Sequence, residues 1–216
     1  MEERQHILHW GGACGFLAAL ILTAMMALGM AAGPDSTELL QSSDPARISD
    51  LMSEYGGVVK ANIVLDDLFA LAYTGAFLGL AALVWPRSRW LAGIAMAFAL
   101  ATAVLDLTEN ARLMTMALDI GDEASLTGDA LADLNVITQL KYSASHMAAF
   151  LFGIGLSRRD RLSWAVTLLL FVFVLISTIA FAIEQAGLAR ILLMWLLLVF
   201  GGSLAWRNSK QMEGEN

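Results

Sequence analysis

Two carboxylates and an amide interrupt an otherwise apolar stretch of the chain, in the pentapeptide Asp106-Leu107-Thr108-Glu109-Asn110. They directly follow the apolar run 90–105, and no turn residue separates the two, so they continue a helix. A charged side chain at the centre of a bilayer costs about 2.5–3.5 kcal/mol or more, and such residues are usually paired or functional. These side chains are therefore the first candidates for a binding or proton-handling site.

The composition places these polar residues in a membrane protein. The chain has 216 residues, of which 58% are hydrophobic and 15% are charged, whereas soluble domains are about 45–50% apolar and about 25% charged. The formal net charge of −7 argues against nucleic acid as a partner, because phosphate binding requires a basic surface. The single cysteine, Cys14, can form neither an internal disulfide nor a zinc site.

Apolar segments of membrane-spanning length recur along the chain, and none shows the alternation typical of strands. About 20 helical residues cross a hydrocarbon core of ~30 Å. In lipid, only a helix makes all of its backbone hydrogen bonds within a single segment. We therefore predict an all-α polytopic membrane protein with six transmembrane helices in a bundle. The predicted helices are about 10–32, 61–85, 90–114, 136–156, 163–184 and 189–206, in a single transmembrane domain covering 1–216, with a disordered tail at 207–216.

Two local features refine this bundle. In the first outer loop, Asp44-Pro45 is a typical helix start, and the apolar spacing that follows predicts a short amphipathic helix that Gly56-Gly57 would end. In the first spanning helix, Gly11, Gly12 and Gly15 predict close contacts with neighbouring helices.

Loop charges predict the orientation of the bundle. The short loops around 86–89 and 157–161 are basic, whereas the long loops 33–60 and 115–135 are acidic. The positive-inside rule places basic loops in the cytoplasm. We therefore expect a multi-pass protein of the cell membrane with both termini cytoplasmic and the acidic loops 33–60 and 115–135 extracytoplasmic.

Helix geometry gives the depth of each charged residue in this arrangement. With a rise of 1.5 Å per residue, Asp106 and Lys141 both lie about 24 Å above the cytoplasmic helix ends, Glu109 about 28 Å and His146 about 16 Å. The charged residues of helices 2 to 5 thus form a band in the outer third of the membrane. Because Asp106 and Lys141 share a depth on adjacent helices, we predict an ion pair between them.

The same counting predicts an outward-facing polar pocket or charge network. Its candidate residues lie in this band or on the helix faces next to it: Asp66, Asp67, Tyr73, Asp106, Glu109, Asn110, Lys141, Tyr142, His146 and Glu184. Two alternatives remain open. Glu109 could pair with Arg112 instead, and the carboxylates nearest the outer surface could be solvated helix ends.

Histidine placement limits the possible cofactors. His6 and His9 lie at the cytoplasmic end of the first helix, far from His146, so neither a bis-histidine haem nor a three-histidine zinc site can form. A carboxylate-rich metal site around His146 would suit a hard cation, but Lys141 nearby argues against one. The sequence has no phosphate-binding loop, nucleophile elbow or His-Glu-x-x-His motif. We expect no cofactor.

Three classes of function fit these residues. The first is a pocket that binds or transports a small solute, proton or cation, and it predicts a solvent-open outer cavity reaching Asp106. The second is a non-catalytic accessory or assembly subunit, which predicts direct contact between Asp106 and Lys141 without a cavity. The third and least favoured is an enzyme acting on lipid headgroups, which predicts a groove open to lipid. The expected partners are the lipid bilayer and either a membrane protein or a second copy of this chain.

Overall fold

The described part of the chain is almost entirely helical. A computed structural model describes residues 2–33, 45–118, 128–158, 160–180 and 186–214, and these contain six helices and no strand. The all-α prediction is confirmed. The helices are α1 (Glu2–Ala32), α2 (Pro45–Val84), α3 (Arg89–Leu118), α4 (Gly128–Gly155), α5 (Arg161–Ile179) and α6 (Ala186–Glu213).

Five helices in the described part of the chain are long and apolar enough to cross a membrane. They are α1, α3, α5, the Glu54–Val84 part of α2 and the Gly187–Glu213 part of α6. The fourth helix is not among them, because Gln139, Lys141 and His146 lower its mean hydropathy. Five apolar helices thus indicate a membrane-embedded protein, and the sixth span remains a prediction.

The predicted separate helix in the first outer loop is wrong. A helix does begin at Pro45, but it continues through Gly56-Gly57 to Val84 as one element of 40 residues. A glycine that ends a helix usually adopts a positive φ. Within the described residues only Gly33 does so, with φ 91°, immediately after the last residue of α1. The two glycines of α2 keep helical geometry, so the loop segment extends the second spanning helix.

The predicted disordered tail is also wrong for residues 207–213, which continue α6. Arg207 Nη2 lies 2.8 Å from Asp160 Oδ2 in the turn before α5, and Ser209 is 1% exposed. These contacts keep the segment on the bundle. Helix α5 ends at Ile179 rather than at 184, and residues 181–185 lie outside the described part of the chain.

The six helices form a closed ring. Each helix packs against the next one along the chain, and α6 packs back against α1. Across the ring, the described residues make contacts only from α2, which touches both α4 and α6. This arrangement leaves a space enclosed by helices from every part of the chain.

Glycines bring α1 into close contact with α2 and α6, as predicted. A Cβ on Gly11 would lie 2.5 Å from Gly79 Cα on α2, and one on Gly15 would lie 3.0 Å from Gly202 Cα on α6. Backbones can approach this closely only where no side chain intervenes. These contacts pack α1 against α2 and against α6, the last helix along the chain, and so close the ring.

Both chain ends and both basic turns lie at one end of the ring, called here the basic end. Leu8 near the start of α1 packs against Ala82 and Ala205, and Arg87 Nη1 donates a hydrogen bond of 2.9 Å to Leu156 O, which joins the two turns. The opposite end, called here the acidic end, contains the ends of α1 and α3 and the starts of α2 and α4. Which end faces the cytoplasm remains a prediction.

Candidate functional site

A cavity of about 1150 Å³ lies inside the ring and is lined by residues of all six helices. On α2 its lining extends from Val58 to Leu80, about 33 Å of helix. Towards the basic end the lining is mostly apolar and includes Leu80, Leu170 and Leu197, whereas polar residues including Asp106 line the part nearer the acidic end.

Lys141 on α4 is held between two carboxylates of α3. Its Nζ lies 2.9 Å from Asp106 Oδ1 and also forms an ion pair with Glu109 Oε2. The two acids share a helix face because they are three residues apart. The side chains of Asp106, Glu109 and Lys141 are only 8%, 11% and 16% exposed, respectively. The contact predicted from equal depth is present, and a second carboxylate shares the same cation.

Two hydroxyl groups complete the bonding of these carboxylates. Tyr73 on α2 donates from its hydroxyl to Asp106 Oδ2 at 2.9 Å. Thr138 on α4 donates to Glu109 Oε1 at 2.6 Å. Three of the four carboxylate oxygens accept a hydrogen bond, the fourth, Glu109 Oε2, is in ion-pair contact with Lys141, and the cluster joins α2, α3 and α4. Pairing and hydrogen bonding offset much of the desolvation penalty of a buried charge.

The alternative pairing of Glu109 with Arg112 is wrong. Glu109 is 9% exposed and turns into the ring towards Lys141. Arg112 lies one turn closer to the acidic end, where its Nη1 is 3.6 Å from Asp133 Oδ2 and both side chains are largely exposed. Counting depth alone placed Glu109 near the interface, but its inward direction decides its partner.

Asn110 connects a further pair of acids to the cluster. Its Nδ2 donates to Asp66 Oδ2 and to Asp67 Oδ1, both at 3.0 Å, and Asn110 is 3% exposed. Both aspartates are thus hydrogen-bonded into the bundle rather than being free helix ends. Asp66 lines the cavity, whereas Asp67 does not.

The remaining predicted residues lie around the cluster in different ways. Tyr142 lines the cavity, and its ring stacks with that of His146 at a centroid distance of 6.5 Å. His146 packs edge-on against Phe173 at 6.2 Å and does not line the cavity. Glu184 lies outside the described residues.

Arg190 on α6 is a cavity residue that the sequence argument missed. Its guanidinium lies 4.4 Å from the centroid of the Tyr142 ring, and it lines the cavity. The signal was available, since Arg190 precedes Trp206 by 16 residues, which gives a height of about 24 Å, equal to that of Asp106 and Lys141. The depth argument had considered only helices 2 to 5.

Asn62 on α2 was also missed. It lines the cavity one helical turn from Asp66. Its amide oxygen is shielded from solvent and accepts no hydrogen bond from the described part of the chain. Such buried acceptors normally have a donor.

Negative charge predominates on the cavity wall. Three carboxylates, those of Asp66, Asp106 and Glu109, face two cations, Lys141 and Arg190, so the ionised lining has a formal excess of one negative charge. A cleft of one charge sign with low-dielectric walls attracts ligands of the opposite sign. The described residues contain no group of three or more His, Cys, Asp or Glu side chains placed to hold a metal ion.

Comparison with known proteins adds no assignment to this geometry. No protein-family model, curated protein or solved structure matches the chain.

Proposed function

We propose that this protein binds a small, positively charged solute in an outward-facing pocket within the membrane. The observation that carries the proposal is the cavity of about 1150 Å³ that reaches Asp106 and has more carboxylates than cations on its wall. The positive-inside rule favours an acidic end that faces away from the cytoplasm, and the solute would then enter from that side.

The roles of the carboxylates differ in this proposal. Lys141 already neutralises part of the charge of Asp106 and Glu109, and it holds them in fixed positions. Asp66 receives a hydrogen bond from Asn110, but no Lys or Arg in the described ranges lies within ion-pair distance of it. Asp66 is therefore the carboxylate that would pair with the solute.

A second candidate is supported by the direct Lys141–Asp106 contact. In an accessory or assembly subunit, this network would serve only to fix the packing of α2, α3 and α4. Buried ion pairs can specify packing without adding net stability. This candidate was expected to show the contact without a cavity, whereas the structure has both, so the binding pocket is the better proposal.

Thermal stability in the presence of a small organic cation tests the pocket. The melting temperature of the purified protein in an uncharged detergent would be measured in ethylammonium chloride and in sodium chloride of equal ionic strength. At a concentration ten times the Kd, ligand binding stabilises the folded state by about 1.4 kcal/mol, which raises Tm by about 3–6 °C for a chain of this size.

Two variants make this test specific. Asp66→Asn should abolish the shift between the two salts. Asp133→Asn removes an exposed acid at the same end of the bundle, 67% exposed and outside the cavity lining, and should keep the shift. An equal effect of both salts on the wild-type protein, or a shift that survives Asp66→Asn, would rule out a cation site at Asp66.

A further inference from the structure

We infer that the ligand of this cavity is an amphiphile with a primary ammonium head and a long apolar chain, bound with the chain directed towards the basic end. This inference rests on the proposed function and specifies the class of its ligand. It follows from a difference between the two halves of the cavity, one polar and one apolar.

The polar half presents hydrogen-bond acceptors on one face of α2. Asn62 and Asp66 are four residues apart, so they lie one above the other on a helix face, and both line the cavity. The Asn62 amide oxygen has no donor within the described residues. A primary ammonium carries one positive charge and three donors, so it can serve both acceptors once the Asn62 side chain turns its oxygen into the cavity. A quaternary ammonium has no donor for Asn62.

The apolar half is too deep for a small solute alone. Below the level of Lys141 and Arg190 the lining continues to Leu80 on α2 and Gly201 on α6. On α6, Gly201 lies 11 residues beyond Arg190, so the apolar part is about 16 Å deep. An extended chain advances about 1.2 Å per bond. A chain of about 12 carbons would fill this depth.

Two glycines allow the depth of the chain to be probed without disturbing the packing. A Cβ on Gly201 would meet only Leu80 Cδ2, at 3.8 Å, although Gly201 lines the cavity. Gly201→Phe therefore places a ring in the deepest part of the cavity. Gly93 lies on an exposed face of α3, and a Cβ there would meet nothing within 4 Å. Gly93→Phe is the matched control.

The test is the chain-length dependence of binding. Primary alkylammonium ions from two to sixteen carbons would compete for the purified full-length protein in nanodiscs of uncharged lipid against radiolabelled decylammonium. Empty nanodiscs would give the partitioning background, and affinities would be referred to free aqueous ligand. Each methylene buried should increase the affinity about fourfold. In the wild-type protein this rise should stop at about 12 carbons, whereas partitioning into empty nanodiscs continues to rise.

The variants separate this inference from the proposed function. Gly201→Phe should move the break to about 8 carbons, whereas Gly93→Phe should behave like wild type. Binding that needs Asp66 but does not depend on chain length would overturn the amphiphile and keep the cation pocket. If no alkylammonium binding depends on Asp66, both the inference and the proposed function are overturned. If Gly201→Phe does not fold, the wild-type protein alone tests the inference. A wild-type affinity that rises with chain length as steeply as partitioning into empty nanodiscs, without a break, would overturn it.

Discussion

Replacing Lys141 with methionine should be the most damaging single change in the polar cluster. The substitution removes both ion pairs of Lys141 and leaves two buried carboxylates without a cation. Breaking a buried ion pair by removing one partner costs about 3–5 kcal/mol. By contrast, Asp106→Asn or Glu109→Gln leaves Lys141 with one carboxylate, so each should cost about 1.5–3 kcal/mol, the scale of one hydrogen bond to a charged group.

The double variants test whether the three groups act as a unit. Adding Asp106→Asn to Lys141→Met removes one of the two stranded charges, so the double variant should be more stable than the sum of the single effects by about 1–3 kcal/mol. The assay is reversible unfolding in mixed micelles of increasing dodecyl sulfate content, followed by tryptophan fluorescence. Lys210→Met is the control, because the Lys210–Glu213 pair is about half exposed and should contribute little to stability.

The reasoning has a clear point of failure. If Lys141→Met costs no more than Asp106→Asn, and the double variant equals the sum of the two within about 0.5 kcal/mol, the cation does not hold the carboxylates in place. The account of a preorganised cluster would then be wrong even though the contacts are short.

Two further predictions concern stability away from the cluster. Gly11→Ala should destabilise the fold by about 1–3 kcal/mol, because its Cβ would lie 2.5 Å from the α2 backbone. Gly93→Ala should stabilise the fold by up to about 1 kcal/mol through helix propensity. Measured unfolding free energies in the opposite order would contradict the close contact. Burial raises the pKa of Asp160, but hydrogen bonds from Arg207 and from the α5 start outweigh it and lower the pKa to about 2. Its stabilising effect should be present above pH ~4 and lost as the pH falls towards 2. Asp160→Asn should remove this pH dependence yet keep the helix cap. If the variant unfolds with the same pH profile as the wild-type protein, the assignment is wrong.

The sequence predicted the polar cluster better than it predicted the helix ends. Equal depth on neighbouring helices was enough to pair Lys141 with Asp106, because a charge deep in the membrane has few possible partners. Depth does not give direction, so the partner of Glu109 was left open between the pocket and Arg112 although its helix face turns it inward. The predicted helix end at Gly56-Gly57 was wrong because glycine permits a helix to end but does not require it.

The cavity itself left a weaker trace in the sequence. Its apolar wall consists of residues such as Leu80 and Leu170 that also occur in packed cores, and no local pattern distinguishes the two uses. The enclosed space forms only when the ring closes through α1 and α6, where residues 190 positions apart, such as Gly12 and Gly202, come into contact.

Water access to the charged level of the cavity tests the central claim most directly. In a Cys14→Ala background, Ser145→Cys would place a thiol on the cavity wall one turn below Lys141, and Met147→Cys would place one on an exposed, non-lining face at similar depth. The rates of labelling by membrane-impermeant thiosulfonates carrying either a trimethylammonium or a sulfonate group would be measured from the acidic end. The account predicts that only the thiol at position 145 reacts, and that it reacts about tenfold or more faster with the cationic reagent. Equal rates for the two reagents, or no reaction at position 145, would contradict an outward-open cavity of negative charge.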